Sequence, residues 1–293
     1  MNDWDPDLYH RFRGYRDEPF KEILARLEAG DTLAQAAERV RIVDLGCGTG
    51  ENTAELARRY PGAATLGIDS SPAMIDRALK TREEVEPALR ARLDFALGDI
   101  RQFNAQEEHP REYSMIFSNA ALQWTTEHRE IFTRCFLALA PGGRLIVQVP
   151  ANDQETAQVT LSAMASEEPW REALAGVRPP SATVAAPEDY RRMLAEIGFT
   201  GIDCYYRTYH HPMGSPAEIV EWCRATVLRR YVDRLEATER EPFVEALTAR
   251  LEQAYGTGGA LIFNFRRLFI WARRPADPRA DSRAESPAKS PAN

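Results

Sequence analysis

A glycine-rich turn is the part of the sequence with the clearest potential for binding chemistry. Its letters are DLGCGTG, and Gly46, Gly48 and Gly50 alternate with other residues directly after a short apolar run. Glycine lets the backbone turn sharply and lets a ligand approach the main chain closely. The leading Asp44 can hydrogen-bond the turn or face the ammonium group of an amino-acid ligand. The spacing lacks the third glycine of GxGxxG, which disfavours a nicotinamide dehydrogenase, and no phosphate-binding lysine of a P-loop follows.

Two further acids end the next two apolar runs along the chain. Asp69 lies 19 residues after Gly50, where a carboxylate can hold both hydroxyls of a ribose, or can cap a helix. Asp99 can accept a hydrogen bond from the amino group of an adenine while Ile100 or Met74 packs on the ring; its alternative is a solvated turn aspartate. Each acid alone is a weak indication. Three acids at three successive strand ends, beside a glycine turn, are a strong one, because such ends line one crevice of a parallel sheet.

The elements around these residues alternate between strand and helix. Short strands are predicted at Arg41–Leu45, Thr65–Ile68, Leu93–Leu97, Tyr113–Ser118 and Arg144–Val149. Helices are predicted at Asn52–Arg59 and Pro72–Leu79, the second with Ser71 as its N-cap and Pro72 at its first position. The alternation predicts an α/β fold with a mostly parallel sheet and right-handed crossovers.

After Pro150 the pattern changes. A helix is predicted at Pro187–Ile197 and strands at Ile202–His210 and Ala260–Ala272, with a helical stretch of about 216–255 between the strands. A connector of this length is too long for a plain loop, so we expect a helical cap over the carboxyl edge of the sheet.

Four segments are predicted from these patterns. Residues 1–38 form an N-terminal helical lid and residues 39–150 form the ligand-binding core. Residues 151–274 complete the sheet and carry the cap insertion at about 212–258. The last segment, 275–293, contains no Leu, Ile, Val or aromatic residue, so we expect a disordered tail.

Composition narrows the class of protein. The net charge is −7 and the pI is about 5.5, which disfavours nucleic acid and anionic membranes as partners. The four cysteines are widely spaced, without CxxC or a zinc-like pattern, so we expect reduced thiols, no metal and a cytoplasmic protein. No apolar run is long enough for a membrane helix, and the first residues lack the apolar region of a signal peptide.

The glycine turn and the three acids resemble class I methyltransferases over about 40–150. The resemblance implies a Rossmann-like α/β fold whose seven-stranded, mostly parallel sheet ends in an antiparallel hairpin, and it implies S-adenosylmethionine as the cofactor, without a metal. The cofactor-binding residues it implies are Asp44, Gly46, Gly48, Gly50, Asp69, Ser70, Met74, Asp99, Ile100 and Asn119.

The residues at and after the end of the fourth strand indicate which methyltransferase families the chain resembles. Their letters, SNAALQW, lack the signature of DNA amino-methyltransferases and the Pro-Cys nucleophile of pyrimidine carbon methylation. They resemble two carboxyl-methylating families, the trans-aconitate 2-methyltransferases and the malonyl-carrier-protein O-methyltransferases. The first family is favoured by DWDPDLY at 3–9, IDSSPAMI at 68–75, GDIR at 98–101, RTYHH at 207–211 and RLFI at 267–270. The chain departs from that family at Val227 and Arg230, where Gly and Pro are usual, and at 151–153.

The resemblance implies methylation of a small polycarboxylic acid, most simply trans-aconitate, to a monomethyl ester. A carboxylate is ionised at neutral pH and is already a nucleophile, so no catalytic base is assigned and positioning supplies the rate. The other carboxylates need cationic partners. The candidate substrate residues are Trp4, Tyr9, Gln123, Trp124, Arg207, Tyr209, His210, Arg229 and Arg267, with His211, Trp222 and Arg224 as further candidates.

The sequence leaves two other functional hypotheses open. A methyltransferase acting on a carrier-bound acyl group would need a basic docking face, which the net charge of −7 disfavours. A non-catalytic scaffold that binds the cofactor would have no reason to keep the full set of acids and glycines.

Overall fold

The computed structural model describes residues 12–30, 40–224, 226–256 and 259–276. Trp4, Tyr9 and the predicted tail beyond residue 276 lie outside these ranges. The chain divides into two compact units. The core unit comprises Asp31–Val147, Ala186–Cys204 and Phe269–Asn293, and the accessory unit comprises Met1–Gly30, Gln148–Ala185 and Tyr205–Leu268. The predicted lid and cap over the edge of the sheet stay a prediction.

Seven strands form one sheet. They are β1 (Arg41–Leu45), β2 (Ala64–Asp69), β3 (Leu93–Leu97), β4 (Tyr113–Asn119), β5 (Leu139–Pro150), β6 (Thr200–Met213) and β7 (Leu261–Arg273). Their order is β3-β2-β1-β4-β5-β7-β6. β1 pairs in parallel with β2 and with β4, and β2 pairs in parallel with β3. The carboxyl ends of these strands therefore share one edge, as the sequence predicted.

β7 runs antiparallel to β5. The N–H of Arg274 donates to the carbonyl of Gly143 at 2.9 Å, and the N–H of Ala151 donates to the carbonyl of Arg266 at 2.9 Å. The partners' numbers fall along one strand as they rise along the other, which is the antiparallel pattern. The expected antiparallel end of the sheet is confirmed.

β5 is longer than the sequence predicted. It begins at Leu139 instead of Arg144 and includes the Pro-Gly-Gly segment, which reads as a turn from sequence alone. The N–H of Gly142 donates to the carbonyl of Arg274 at 3.1 Å. Pairing with the end of β7 thus extends the strand through residues of low strand propensity, because tertiary hydrogen bonds outweigh that propensity.

The α-helices of the described residues are α1 (Arg13–Gly30), α2 (Glu51–Arg59), α3 (Pro72–Glu84), α4 (Pro87–Arg90), α5 (His128–Ala138), α6 (Thr156–Met164), α7 (Pro187–Ile197), α8 (Pro216–Arg224), α9 (Arg229–Val232) and α10 (Ala237–Tyr255). The oxygen of Ser71 accepts from the N–H of Met74, so the predicted N-cap of α3 is confirmed. α7 ends at Gly198 with φ 112°, the left-handed conformation that suits glycine. Within the described residues, no helix is long and apolar enough to cross a membrane.

Each unit has its own apolar interior. In the core unit β1 and β4 are buried along most of their length, as expected of central parallel strands covered on both faces. In the accessory unit α6 and α8 both pack against α10. The largest side chains that are fully buried there are Trp222, Tyr231, Phe243 and Phe263.

Candidate functional site

The glycine turn connects β1 to α2 and is pinned to the end of β2. The N–H groups of Gly46 and Cys47 both donate to the carbonyl of Ile68, at 2.7 and 3.0 Å. Gly46, Gly48 and Gly50 have φ values of 80°, 55° and 80°. All three occupy the left-handed region that other L-residues rarely adopt, so the predicted sharp turn is present.

The three glycines differ in what surrounds them. A Cβ atom at Gly46 would collide with the side chain of Ala121, and one at Gly50 would lie 2.5 Å from Cζ of Phe95. At Gly48 a Cβ atom would meet no described atom within 4 Å. Gly46 and Gly50 therefore permit close packing behind the turn, whereas Gly48 presents bare backbone to open space.

Asp44 lies beneath the turn with only 2% of its surface exposed. Its Oδ2 accepts a hydrogen bond from the hydroxyl of Thr53 at 2.6 Å, while its Oδ1 is buried without a partner among the described residues. Burial raises the pKa of Asp44 to about 7; the Thr53 hydrogen bond opposes this rise and the nearby Asp69 adds to it. A buried acceptor without a donor is costly, so this oxygen is suited to receive a donor or a positive charge from a ligand.

Asp69 ends β2 and joins the turn to α3. Its Oδ2 accepts from the N–H of Gly48 at 3.0 Å, and its Oδ1 accepts from the N–H of Ser71 at 2.9 Å. Each carboxylate oxygen can accept a second hydrogen bond, so both remain able to take one from a ligand hydroxyl. The two alternatives weighed from sequence, a structural cap and a ribose acceptor, are thus compatible. Ser70 is exposed.

Asp99 caps the 3-10 helix Ile100–Gln102. Its Oδ1 accepts from the N–H of Arg101 at 2.8 Å, and its Oδ2 accepts from Nε of the same arginine at 3.0 Å. These hydrogen bonds lower the pKa of Asp99 and keep it ionised. Ile100 is buried, and its Cδ1 would lie 3.2 Å from a Cβ at Gly46. Ile100 is therefore next to the turn, while Met74 is half-buried.

The exit of β4 carries a strained residue. Ala120 has φ 55°, a conformation that is unfavourable for residues other than glycine. The buried side chain of Gln123 donates from Nε2 to the carbonyl of Ala120 at 2.6 Å, which holds this conformation. The Oδ1 of Asn119 is buried without a hydrogen-bond partner in the part of the chain described. Trp124 is 50% exposed.

A buried histidine supports this exit, and sequence reasoning missed it. His128 Nδ1 accepts from the hydroxyl of Tyr190 at 2.6 Å, and its Nε2 donates to the carbonyl of Leu122 at 3.0 Å. Burial lowers the pKa of His128, which favours the neutral ring that this pair of bonds requires. The bonds fix the 3-10 helix Leu122–Trp124. No sequence signal distinguished this histidine from a surface residue.

The candidate cations on the accessory unit differ in burial. Arg207 is 61% exposed at its side chain, and its Nε lies 3.5 Å from Oε2 of Glu22. His210 and Arg229 are also exposed. Arg267 is buried, with 5% of its surface exposed. Of these four candidates, Arg267 alone brings its charge into the interior.

Arg267 lies among amide and aromatic side chains. Its Nη1 donates to Oε1 of Gln148 at 3.4 Å, and its guanidinium carbon lies 4.5 Å from the ring centroid of Phe265. Burial, followed by the charges of Arg267 and His210, lowers the pKa of His211 to about 4. Tyr209 is buried in the same unit and donates its hydroxyl to Oε2 of Glu22 at 2.7 Å.

Comparison with known proteins identifies the family. A methyltransferase-domain family model matches residues 37–198. The trans-aconitate 2-methyltransferase of Paracidovorax citrulli is 38% identical over 278 residues, which cover 94% of this chain and 100% of the relative. The enzyme of that name from Streptomyces coelicolor is 37% identical over 276 residues, covering 93% of this chain and 87% of the relative. The chain belongs to the trans-aconitate 2-methyltransferase family. It is an S-adenosylmethionine-dependent methyltransferase.

Solved structures agree on the fold of this family member. Haemonchus contortus phosphoethanolamine N-methyltransferase 2 in complex with S-adenosyl-L-methionine matches with a TM-score of 0.53 and 19% identity, covering 87% of this chain and 52% of that chain. The YcgJ protein of Bacillus subtilis matches with a TM-score of 0.55 and 13% identity, covering 83% of this chain and 95% of that chain. At these identities the likeness concerns the fold, and it confirms the predicted class I methyltransferase architecture.

The described residues fit S-adenosylmethionine. The buried Oδ1 of Asp44 lacks a donor that an ammonium group can supply, and Asp69 retains acceptor capacity for hydroxyls. Gly48 offers open backbone beside Asp69. No cluster of metal-binding side chains occurs among the residues described. The assignment of individual residues to cofactor and substrate stays a prediction.

Proposed function

We propose that the protein transfers a methyl group from S-adenosylmethionine to one carboxylate of trans-aconitate and produces a monomethyl ester. The observation that carries this proposal is the extent of the likeness to relatives named trans-aconitate 2-methyltransferase. It reaches 36–38% identity and at least 93% of this chain, so it includes the accessory unit as well as the core unit.

Four residues of the core unit would hold the cofactor, which when bound supplies an electrophilic methyl group on a positively charged sulfur. Asp44 would accept the ammonium group, Asp69 the ribose hydroxyls and Asp99 the amino group of the adenine. Asp99 already pairs with Arg101, so its carboxylate is ionised. The adenine amino group would bind this carboxylate alongside Arg101. Gly48 would let the backbone lie against the bound molecule.

The side chains have to position the substrate carboxylate in line with the methyl group of the cofactor. The substrate carboxylate is ionised at neutral pH, so no side chain has to remove a proton. Holding reacting groups in line is worth about 7–11 kcal/mol, and exclusion of water strengthens every charge interaction in the site. The residues proposed for this role are acceptors, donors and cations rather than an acid–base pair.

The proposal includes the cellular compartment in which the protein acts. All four cysteines are buried free thiols, Cys47, Cys135, Cys204 and Cys223. Free thiols in a protein of this size support a reducing compartment, and we assign the protein to the cytoplasm. The net charge of −7 supports a free small acid as the substrate, without nucleic acid or membrane as a partner.

Methyl transfer from labelled S-adenosylmethionine tests the proposal. The acceptor panel contains trans-aconitate, cis-aconitate, isocitrate and a malonyl-carrier protein. We expect kcat/KM to be highest for trans-aconitate, and mass spectrometry of the product to find one added methyl group in an ester. Turnover on the carrier protein alone would replace the proposal with carrier-linked methylation. Cofactor binding without transfer to any acceptor would overturn the substrate assignment and leave the family intact.

A further inference from the structure

One buried amide donor and one buried indole donor of the accessory unit have no acceptor among the described residues. They are Nε2 of Gln148, whose residue is 0% exposed, and Nε1 of Trp222, whose residue is 1% exposed. Buried N–H groups are nearly always hydrogen-bonded, because an unmade bond forfeits the water that the group has lost. Two such donors in one unit are suited to an acceptor that a bound ligand supplies.

The orientation of the Gln148 amide is settled by its neighbour. Its Oε1 faces Nη1 of Arg267 at 3.4 Å, and a guanidinium can only donate. The amide oxygen must therefore point toward the arginine, which leaves the NH₂ group as the donor without a partner. Gln148 and Arg267 are thus coupled, and an acceptor for one lies close to the positive charge of the other.

Trp222 is linked to the same arginine through aromatic contacts. Arg267 lies 4.5 Å from the Phe265 ring, whose centroid is 5.4 Å from that of Trp222. The guanidinium carbon of Arg16 lies 5.0 Å from the Trp222 ring. The Trp222 ring therefore lies in a neighbourhood with two cationic groups, in an interior formed largely by aromatic rings.

Two further titratable groups lie beside these rings, His211 and Glu22. His211 stacks on Trp222 at 5.3 Å and is neutral at physiological pH, because its pKa lies near 4. The carboxylate of Glu22 receives the Tyr209 hydroxyl at 2.7 Å and lies 3.5 Å from Nε of Arg207. Glu22 is thus paired with Tyr209 and Arg207. Anionic oxygens are the acceptors that suit the N–H donors of Gln148 and Trp222 beside a cation.

We propose that Gln148, Trp222 and Arg267 bind the carboxylates of the acid substrate that are not methylated. The inference rests on the proposed function, since it assigns a site to the substrate named there. A tricarboxylate that is methylated at one group retains two carboxylates. Their oxygens can accept hydrogen bonds from the amide of Gln148, the indole N–H of Trp222 and the guanidinium of Arg267. The aromatic rings pack against the carbon skeleton between them.

Two mild variants test the assignment. Gln148→Met keeps the length of the side chain but removes its donor, and Trp222→Phe keeps an aromatic ring but removes the indole N–H. We expect each to raise the KM for trans-aconitate by about 10-fold or more with a smaller effect on kcat, because a contact made in both ground and transition states is lost. The Kd of S-adenosylmethionine should stay within about 2-fold of the wild-type value.

Gln158→Met is the matched control. Gln158 has the same residue type, is 3% exposed and lies in the same unit, but it has an unpartnered acceptor, Oε1, in place of an unpartnered donor. We expect its KM for the acid to equal that of the wild type. Circular dichroism and thermal unfolding of all three variants identify any loss of folding before kinetics are compared.

Direct binding separates this inference from the proposed function. Tricarballylate, a saturated tricarboxylate, serves as the probe in isothermal titration calorimetry with the full chain. Binding to the wild type that is weakened in Gln148→Met and Trp222→Phe, but not in Gln158→Met, supports the site even if trans-aconitate is not methylated. Wild-type turnover of trans-aconitate with an unchanged KM in both variants overturns the inference and leaves the proposed function standing. A wild type that binds no tricarboxylate overturns the inference too.

Discussion

Asp44 combines burial with an acceptor that lacks a partner, and this combination is unfavourable for the protein alone. Its pKa of about 7 lies above its ordinary value of 3.8, so between these values the unfolded chain has lost a proton that the folded chain keeps. The free energy of unfolding therefore falls as pH rises from about 4 to 7, by as much as about 4 kcal/mol. A residue that costs stability is expected where binding requires it.

Asp44→Asn should separate stability from binding. At pH 8 the variant has no buried charge, so we expect its free energy of unfolding to equal or exceed that of the wild type in urea denaturation. We expect its Kd for S-adenosylmethionine to rise by about 10-fold or more, because an amide cannot pair with an ammonium group as a carboxylate does. Loss of stability together with unchanged cofactor affinity would assign Asp44 to a purely structural role.

The pH dependence of cofactor affinity gives a second measurement on Asp44. Below pH 7 its carboxyl group in the free protein is increasingly protonated and neutral, so affinity should fall as pH falls, approaching 10-fold per unit. Above pH 7 the contribution of this group should be constant. Calorimetry between pH 5.5 and 8.5 should find this slope in the wild type but not in Asp44→Asn; equal slopes in the two proteins would contradict the assignment.

At the scale of the element, the glycines of the turn between β1 and α2 have two roles: some allow close packing, and one leaves open space beside the backbone. Phe95 of β3 lies against Gly50 and also against Gly67 of β2, where a Cβ atom would lie 2.5 Å from its ring. One ring thus packs against the end of the turn and against the neighbouring strand. At Gly48, in contrast, a Cβ atom would meet no atom of the described residues within 4 Å. Substitutions at Gly48 and Gly50 should therefore fail for different reasons.

Gly48→Ala and Gly50→Ala test this division. Both place alanine at positive φ, which costs about 1–2 kcal/mol. Gly50→Ala adds the collision with Phe95, so we expect a further loss of about 1–3 kcal/mol in the free energy of unfolding. Gly48→Ala should be the more stable of the two, and its Kd for S-adenosylmethionine should rise by about 10-fold because its methyl group occupies the open space beside the turn.

The control for these variants is Gly62→Ala. Gly62 is exposed, its φ is not in the left-handed region, and a Cβ atom there would meet none of the described atoms within 4 Å. Its stability and cofactor affinity should match those of the wild type. If Gly48→Ala bound the cofactor as tightly as Gly62→Ala does, the open space at Gly48 would have no role in binding.

At the scale of the whole molecule, the four cysteines report on the compartment proposed for the protein. Cys135, Cys204 and Cys223 are 0–2% exposed, and Cys47, in the glycine turn, is 8% exposed. Burial raises the pKa of Cys135 to about 12, so at neutral pH almost no thiolate forms there. The thiolate is the reactive species. The folded protein should therefore be inert toward thiol reagents.

Titration with a chromogenic disulfide reagent measures this inertness. We expect less than one thiol to react within minutes at pH 8, four to react after unfolding in guanidinium without reductant, and S-adenosylmethionine to slow any reaction at Cys47. Fewer than four thiols in the unfolded chain would indicate a disulfide and would contradict the cytoplasmic assignment. Rapid labelling of the folded protein would show that a thiol is more accessible than its burial indicates.

The sequence by itself determined the local features of the cofactor side. Asp44, Asp69 and Asp99 end successive strands, and the ends of parallel strands must meet at one edge of the sheet, so their grouping follows from the order of the elements. The glycine turn and the Ser71 cap are also local, because each depends on a few consecutive residues. Family resemblance supplied the cofactor and the substrate class.

Only the tertiary structure decided which polar residues of the later strands face inward. On β6 Tyr209 and His211 are buried while His210 between them is exposed, because successive side chains of a strand point to opposite faces. In this polar stretch the sequence does not say which face is inward. Gln148, Trp222 and Arg267 are distant in sequence, and their association depends on how β5, α8 and β7 pack. The sequence indicated Arg267 and Trp222 as candidates but not Gln148, and no spacing along the chain shows that the three residues lie in one unit.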